Sequence, residues 1–185
     1  PSSFDWGGTV RGFSGKMAAP VPRELKKEEL PRIVEEFRQG ARRAIDAGVD
    51  GVEIHGANGY LLHEFMAASS NKREDEFGGS PENRWRLPAM VIRAVAEEIG
   101  ADRVGVRFSP AHNVQEVIED DQDDMLATYG GLLDALEPLN LAYVSLLHGE
   151  PLPSVDADVR ARAHVKNEIA AMNEQWVESS DLSSI

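Results

Sequence analysis

Between residues 30 and 147 the chain passes three times from a stretch of helical periodicity into a short, nearly unbroken apolar run, and this alternation restricts the fold more than any other feature. Leu30, Ile33, Val34, Phe37, Ala41, Ala44 and Ile45 recur at three- and four-residue steps up to Gly48, and GVEIH follows. Ser80-Pro81-Glu82 supplies an N-cap and a first-turn proline for a second helix. Its stripe of Leu87, Met90, Val91, Ala94, Val95 and Ile99 ends at Gly100, just before VGVRF. A third helix starts at the Asp120-Asp121 cap region, carries Met125, Leu126, Tyr129, Leu132, Leu133 and Leu136, and ends near Pro138, ahead of LAYVSLL. Helices alternating with such strands predict βαβ units, a parallel sheet covered on its outer face by helices.

Strand parity separates a barrel from an open sheet. Val52 and Ile54 point one way while Glu53 and His55 point the other, and in the next strand Val104 and Val106 oppose Arg107. An open doubly wound sheet buries both faces under apolar helices, whereas a (β/α)8 barrel gathers polar groups at its C-terminal mouth. A face carrying Glu53, His55 and Arg107 therefore favours the barrel. The breaker-rich start (Gly7, Gly8, Gly12, Gly15, Pro20, Pro22) reads as an irregular loop with a short hairpin. Residues 151–185 hold Val155, Val159, Ile169, Met172 and Trp176 at loosely helical spacing, no further strand, and a polar end, SSDLSSI, so a helical or disordered tail is expected there. A whole barrel takes eight strands and typically ~250 residues. The fold expected is thus α/β, a partial (β/α)8 TIM barrel of about three βα units, with residues 1–150 its central part and 151–185 a C-terminal tail.

Charge and composition narrow the partners. A formal net charge of −13 without a Lys/Arg cluster argues against nucleic acid and against an anionic membrane surface. No cysteine is present, which removes disulfides and thiolate chemistry and suits a reducing cytoplasm. No run approaches the roughly 20 apolar residues of a membrane span, and PSSFDWGGTV lacks the basic and apolar regions of a signal peptide. A soluble, cytoplasmic protein is the expectation. No metal site is expected: His55 and His63 are separated by a turn, and Glu119 with DDQDD (120–124) lacks the glycine and ligand spacing of a calcium loop.

Just past the first strand, EIHGANGYLL (53–62) crowds His55, Asn58 and Tyr60 among glycines. Each has a plain reading: His55 as a structural hydrogen-bonder, Tyr60 as a core or interface aromatic, Arg107 as the partner of Glu53. Their company changes that reading. DGVEIHGANGYLLHEFMAASSNKREDEFGGSPENR (50–84), with PRELKKEELPRIVEEFRQGARRAIDAGVDG (22–51) before it and RVGVRFSP (103–110) after it, resembles the signature region of the Old Yellow Enzyme family of flavin-dependent ene-reductases and NADH:flavin oxidoreductases. The resemblance covers roughly residues 1–150.

It implies an FMN-binding (β/α)8 barrel that passes hydride from NAD(P)H to the flavin and then to the β-carbon of an activated alkene, with a proton delivered to the α-carbon. His55 and Asn58 match the pair that hydrogen-bonds the carbonyl oxygen of an enone substrate, Tyr60 the proton donor, and Arg107 the residue beside the flavin pyrimidine ring. Elementary chemistry suits those roles. Charge grows on the carbonyl oxygen as hydride adds, so two donors aimed there stabilise the transition state more than the ground state. A tyrosine stays protonated at neutral pH and can act as a general acid. His112 and Asn113 fall where such enzymes often place substrate-pocket residues, NKREDEFGGSPENR reads as scaffolding, and His63 and His148 read as structural. The family's other flavin contacts and its phosphate site lie on strands outside the matched region. The alternative is a catalytically inert truncated fragment or interaction module descended from the family, and with open sheet edges either form would self-associate or take a partner chain to complete the barrel.

Overall fold

The structure, a computed structural model, describes Ser2 and residues 7–13 and 15–147. The tail expected at 151–185, and His148, lie outside the described residues. Strands β1 (Thr9–Gly12) and β2 (Gly15–Ala18) pair as the antiparallel hairpin anticipated for the breaker-rich start. Then follow α1 (Leu30–Asp46), β3 (Val52–Gly56), a short α2 (Leu61–Met66), α3 (Pro81–Ile99), β4 (Val104–Phe108), α4 (Gln122–Leu136) and β5 (Tyr143–Leu146). β3, β4 and β5 form one parallel sheet in that order, with Val52 opposite Val104 and Val106 opposite Val144. Neighbouring strands joined through helices on one side are an arc of a (β/α)8 barrel.

Local chemistry sets the element ends. Ser80 Oγ accepts from the Asn83 amide at 3.3 Å and Pro81 takes the first helical position, which starts α3. Asp121 caps α4 through the Asp124 amide at 3.1 Å. Ile54, Val104, Val106, Phe108 and Val144 are buried in one core with Leu87, Val91, Ile92 and Val95 of α3 and Tyr129, Leu132 and Leu136 of α4. The buried face of α3 is rotated from the expected stripe: Ile92 and Pro88 are buried, while Met90 is exposed. α1 is the loosest of the helices. Its Ile33 and Phe37 are only half-buried, and with Ala41, Val52, Ile54, Leu61 and Val95 they line a cavity of about 490 Å3 that also reaches Glu53 and His55.

The charge-rich stretch after α2 is scaffolding, built largely from side chains that donate to backbone carbonyls. Asn71 Nδ2 donates to the carbonyls of Phe65 and Phe77, both at 2.7 Å. Arg73, nearly enclosed, reaches the Leu25 carbonyl at 2.5 Å and pairs with Asp75. Arg84, equally enclosed, donates from Nε to the Met66 carbonyl at 2.7 Å, from Nη1 to the Gly79 carbonyl, and from Nη2 to Asp124 Oδ2 at 2.5 Å and Thr128 Oγ1 at 3.0 Å. Arg84 thereby fastens the end of α2 to α3 and α4. Among the described residues, no helix is long and apolar enough to cross a membrane.

Candidate active site

The sheet has two chemically different faces, and the unlike one is polar. On β3, Ile54 is buried against the helices while Glu53 and His55 are exposed on the other side. On β4, Val104, Val106 and Phe108 are buried while Arg107 shares the face of His55, its register partner. Arg107 Nε lies 3.2 Å from Glu53 Oε1 and has no hydrogen-bond partner, so charge rather than an aligned hydrogen bond holds this pair. Tyr143 of β5 joins the cluster: its ring crosses Gly105, its register partner, and its hydroxyl donates to Glu53. A Cβ at position 105 would fall inside that ring. Burial, and then the Glu53 carboxylate, raise the Tyr143 phenol above its ordinary value, with Arg107 opposing.

At the carboxyl end of β3 the chain reverses over Ala57–Tyr60. The Tyr60 amide donates to the Ala57 carbonyl at 3.2 Å, and both central residues have positive φ, 56° at Asn58 and 73° at Gly59. Positive φ at both positions marks the mirror-image type I′ turn, for which Asn-Gly is the preferred pair. The turn is held from outside as well. The Asn58 amide donates to the buried Ser109 Oγ at 2.8 Å, so the residue after β4 fixes the residue after β3.

The turn lifts three side chains to one end of the sheet. Tyr60, 55% exposed, stands just ahead of α2, and its ring meets that of His55 edge to face with centroids 5.3 Å apart. Asn58 Oδ1 is buried without a hydrogen-bond partner. A left-handed asparagine with an unspent amide atom is a local cost, of the kind functional sites carry. The residues singled out from sequence, His55, Asn58, Tyr60 and Arg107, therefore cluster at one end of two adjacent strands. Asn113 does not join them: its amide accepts from the Glu119 backbone and donates to Asp120, both at 2.9 Å. Ser109, Tyr143 and His63 carry contacts the sequence did not reveal. Among the described residues, no group of three or more His, Asp or Glu side chains is arranged to hold a metal ion.

The chain resembles known proteins in sequence and in fold. Residues 6–176 match the NADH:flavin oxidoreductase / NADH oxidase family, a match that runs past residue 150, where the resemblance legible in the sequence stops. The chain is 54% identical over 105 residues to 12-oxophytodienoate reductase 1 of Oryza sativa subsp. japonica, covering 57% of this chain and 28% of that protein. It is 45% identical over 140 residues to the aldehyde reductase FrzD of a Cladobotryum species, covering 72% and 37%. Among solved structures, morphinone reductase superposes with a TM-score of 0.80 at 34% identity, covering 89% of this chain and 47% of that one. The old yellow enzyme homologue of Zymomonas mobilis superposes at 0.76 and 36% identity, covering 81% and 41%. The chain thus spans less than half the length of each of these proteins. With the family match covering most of its length and its three βα units superposing on these structures, the chain belongs to the NADH:flavin oxidoreductase family of Old Yellow Enzyme type, as an arc of its (β/α)8 barrel.

Proposed function

We propose that this chain supplies the central part, residues 1–150, of an FMN-dependent oxidoreductase that uses NAD(P)H to reduce the activated carbon-carbon double bond of an enone-type substrate. The observation that carries the reading is the gathering of His55, Asn58 and Tyr60 around one turn, beside Arg107 on the neighbouring strand. Two relatives are named for carbonyl-bearing substrates, 12-oxophytodienoate reductase and morphinone reductase, which supports a substrate of that kind here.

FMN fits the donor set present. Arg107 is a half-exposed cation on the open face, and its buried Nε lacks a hydrogen-bond partner, which suits the acceptor-rich pyrimidine edge of a flavin. When bound, the cofactor supplies two-electron hydride chemistry. The chain's own residues do the rest. His55 and the side-chain Nδ2 of Asn58 donate to the substrate carbonyl oxygen and stabilise charge that develops there. Tyr60 gives its hydroxyl proton to the α-carbon. Among the described residues the outer edges of β3 and β5 carry no further strand and one face of α1 is half-covered, and these are where further strands complete the barrel, whether from a longer chain, a second copy or a partner.

The test is titration of the FMN-loaded protein with a phenol, whose oxygen mimics that of an enolate. Replacing His55 or Asn58 by Ala is expected to weaken phenol binding about 10- to 100-fold each, the usual worth of a hydrogen bond to a charged group. Unchanged affinity in both variants removes these residues from the carbonyl-binding role.

A further inference from the structure

Three consecutive amides of the turn each have their own acceptor. The Asn58 amide goes to Ser109 Oγ, the Tyr60 amide to the Ala57 carbonyl, and the Gly59 amide to Nδ1 of His63 at 2.9 Å. The central amides of a two-residue turn are ordinarily left to water. Here an imidazole takes that place. His63 is completely buried within α2, and acceptance at Nδ1 puts its ring proton on Nε2. Nε2 faces Glu119 Oε2 at 3.3 Å, off the line of a hydrogen bond, so this contact is electrostatic. Glu119, itself only 5% exposed, is held by the Ala111 amide at 3.0 Å and by the Tyr129 hydroxyl at 3.1 and 3.2 Å. One carboxylate therefore joins the loop after β4, helix α4 and the imidazole of α2.

The same loop presses on the turn from the other side. A Cβ on Gly59 would lie 2.8 Å from the Val114 carbonyl oxygen and 3.0 Å from Gln115 Cβ. Gly59 is thus boxed between His63 and residues 114–115, with the proposed carbonyl donor on one side of it and the proposed proton donor on the other.

We propose that His63, backed by Glu119, is a positioning residue of the active site: its imidazole fixes the Asn58-Gly59 turn, and with it the approach of Asn58 and Tyr60 to the substrate. The proposal rests on the roles given to those residues above. A phenyl ring could fill the same buried space, so packing alone does not call for histidine; the acceptor nitrogen does. A displacement of about 1 Å at such donors costs on the order of 100-fold in rate, which is why a residue that touches no substrate matters here.

The test compares His63→Phe, which keeps a ring and loses the acceptor, with His63→Gln, which keeps an acceptor, on the full chain labelled with 15N. In His63→Phe, hydrogen exchange of the Gly59 amide is expected to accelerate about 10-fold, as for loss of one hydrogen bond, while the core amides of Val91 and Val106 are unaffected. Phenol affinity of the FMN-loaded variant falls by about the same factor, and His63→Gln restores both readouts most of the way. Unchanged Gly59 exchange in His63→Phe, or equal acceleration of core amides in both variants, overturns the proposal. Should His63→Phe fail to fold, Glu119→Gln replaces it, since its amide still accepts from Ala111: faster exchange confined to Gly59 supports the proposal and no change overturns it. His55→Ala separates the two levels of argument, because phenol binding insensitive to that change defeats the site reading while leaving the Gly59 measurement to stand or fall alone.

Discussion

Replacing Tyr60 by Phe is expected to slow reduction of an activated alkene by about 100- to 10,000-fold, the usual contribution of a positioned general acid, and to leave the preceding reaction with NAD(P)H essentially untouched. The side chain is 55% exposed and makes an edge-to-face contact with His55 that a phenylalanine ring preserves. The turn beneath it is closed by the Tyr60 backbone amide, which the substitution does not alter. Only the hydroxyl proton is lost. Rapid-mixing measurements of the two half-reactions check this: slowing of both alike, or of neither, removes Tyr60 from proton delivery.

Arg84→Met carries the second large effect, on stability. Methionine fills the space of the side chain but donates nothing to the Met66 and Gly79 carbonyls, to Thr128 or to the Asp124 carboxylate. Truncating one partner of a nearly enclosed ion pair costs roughly 3–5 kcal/mol, and Asp124, being partly exposed, places this case at the low end, about 3 kcal/mol. The shift of the urea midpoint measures it. A loss below about 1 kcal/mol, the range of exposed pairs, would mean that Arg84 fastens nothing.

Much of this was legible in the sequence because it obeys short-range rules. The period-two alternation of β3 and β4 correctly assigned Glu53 and Arg107 to one face and Val104 and Val106 to the other. Ser80-Pro81 and Asp121 mark helix starts through contacts only three residues long. The helical stripe of α3 was less well read: Met90 and Ile92 are both apolar, and which of them is buried depends on α1 and α4 packing from different sides. Asn-Gly in EIHGANGYLL is a turn signal in its own right, yet here it ends a strand and opens a helix rather than joining two antiparallel strands. The contacts that hold it were invisible for a different reason. Ser109, His63 and Glu119 act on backbone amides or on one another across the fold, and neither spacing nor residue type announces such a partner. Asn113 shows the converse: near the site in sequence, it hydrogen-bonds within its own loop.

The five residues of β4 have a consequence for inheritance. Val104, Val106 and Phe108 face the helices, while Gly105 and Arg107 face the open side. Neighbours along the strand therefore answer to different partners, and substitutions without shared partners combine nearly additively. Descendants can exchange Val104, Val106 or Phe108 for other apolar side chains while Gly105 stays beneath the Tyr143 ring and Arg107 beside Glu53. The wall of the barrel and the chemistry mounted on it are thus inherited as separate traits.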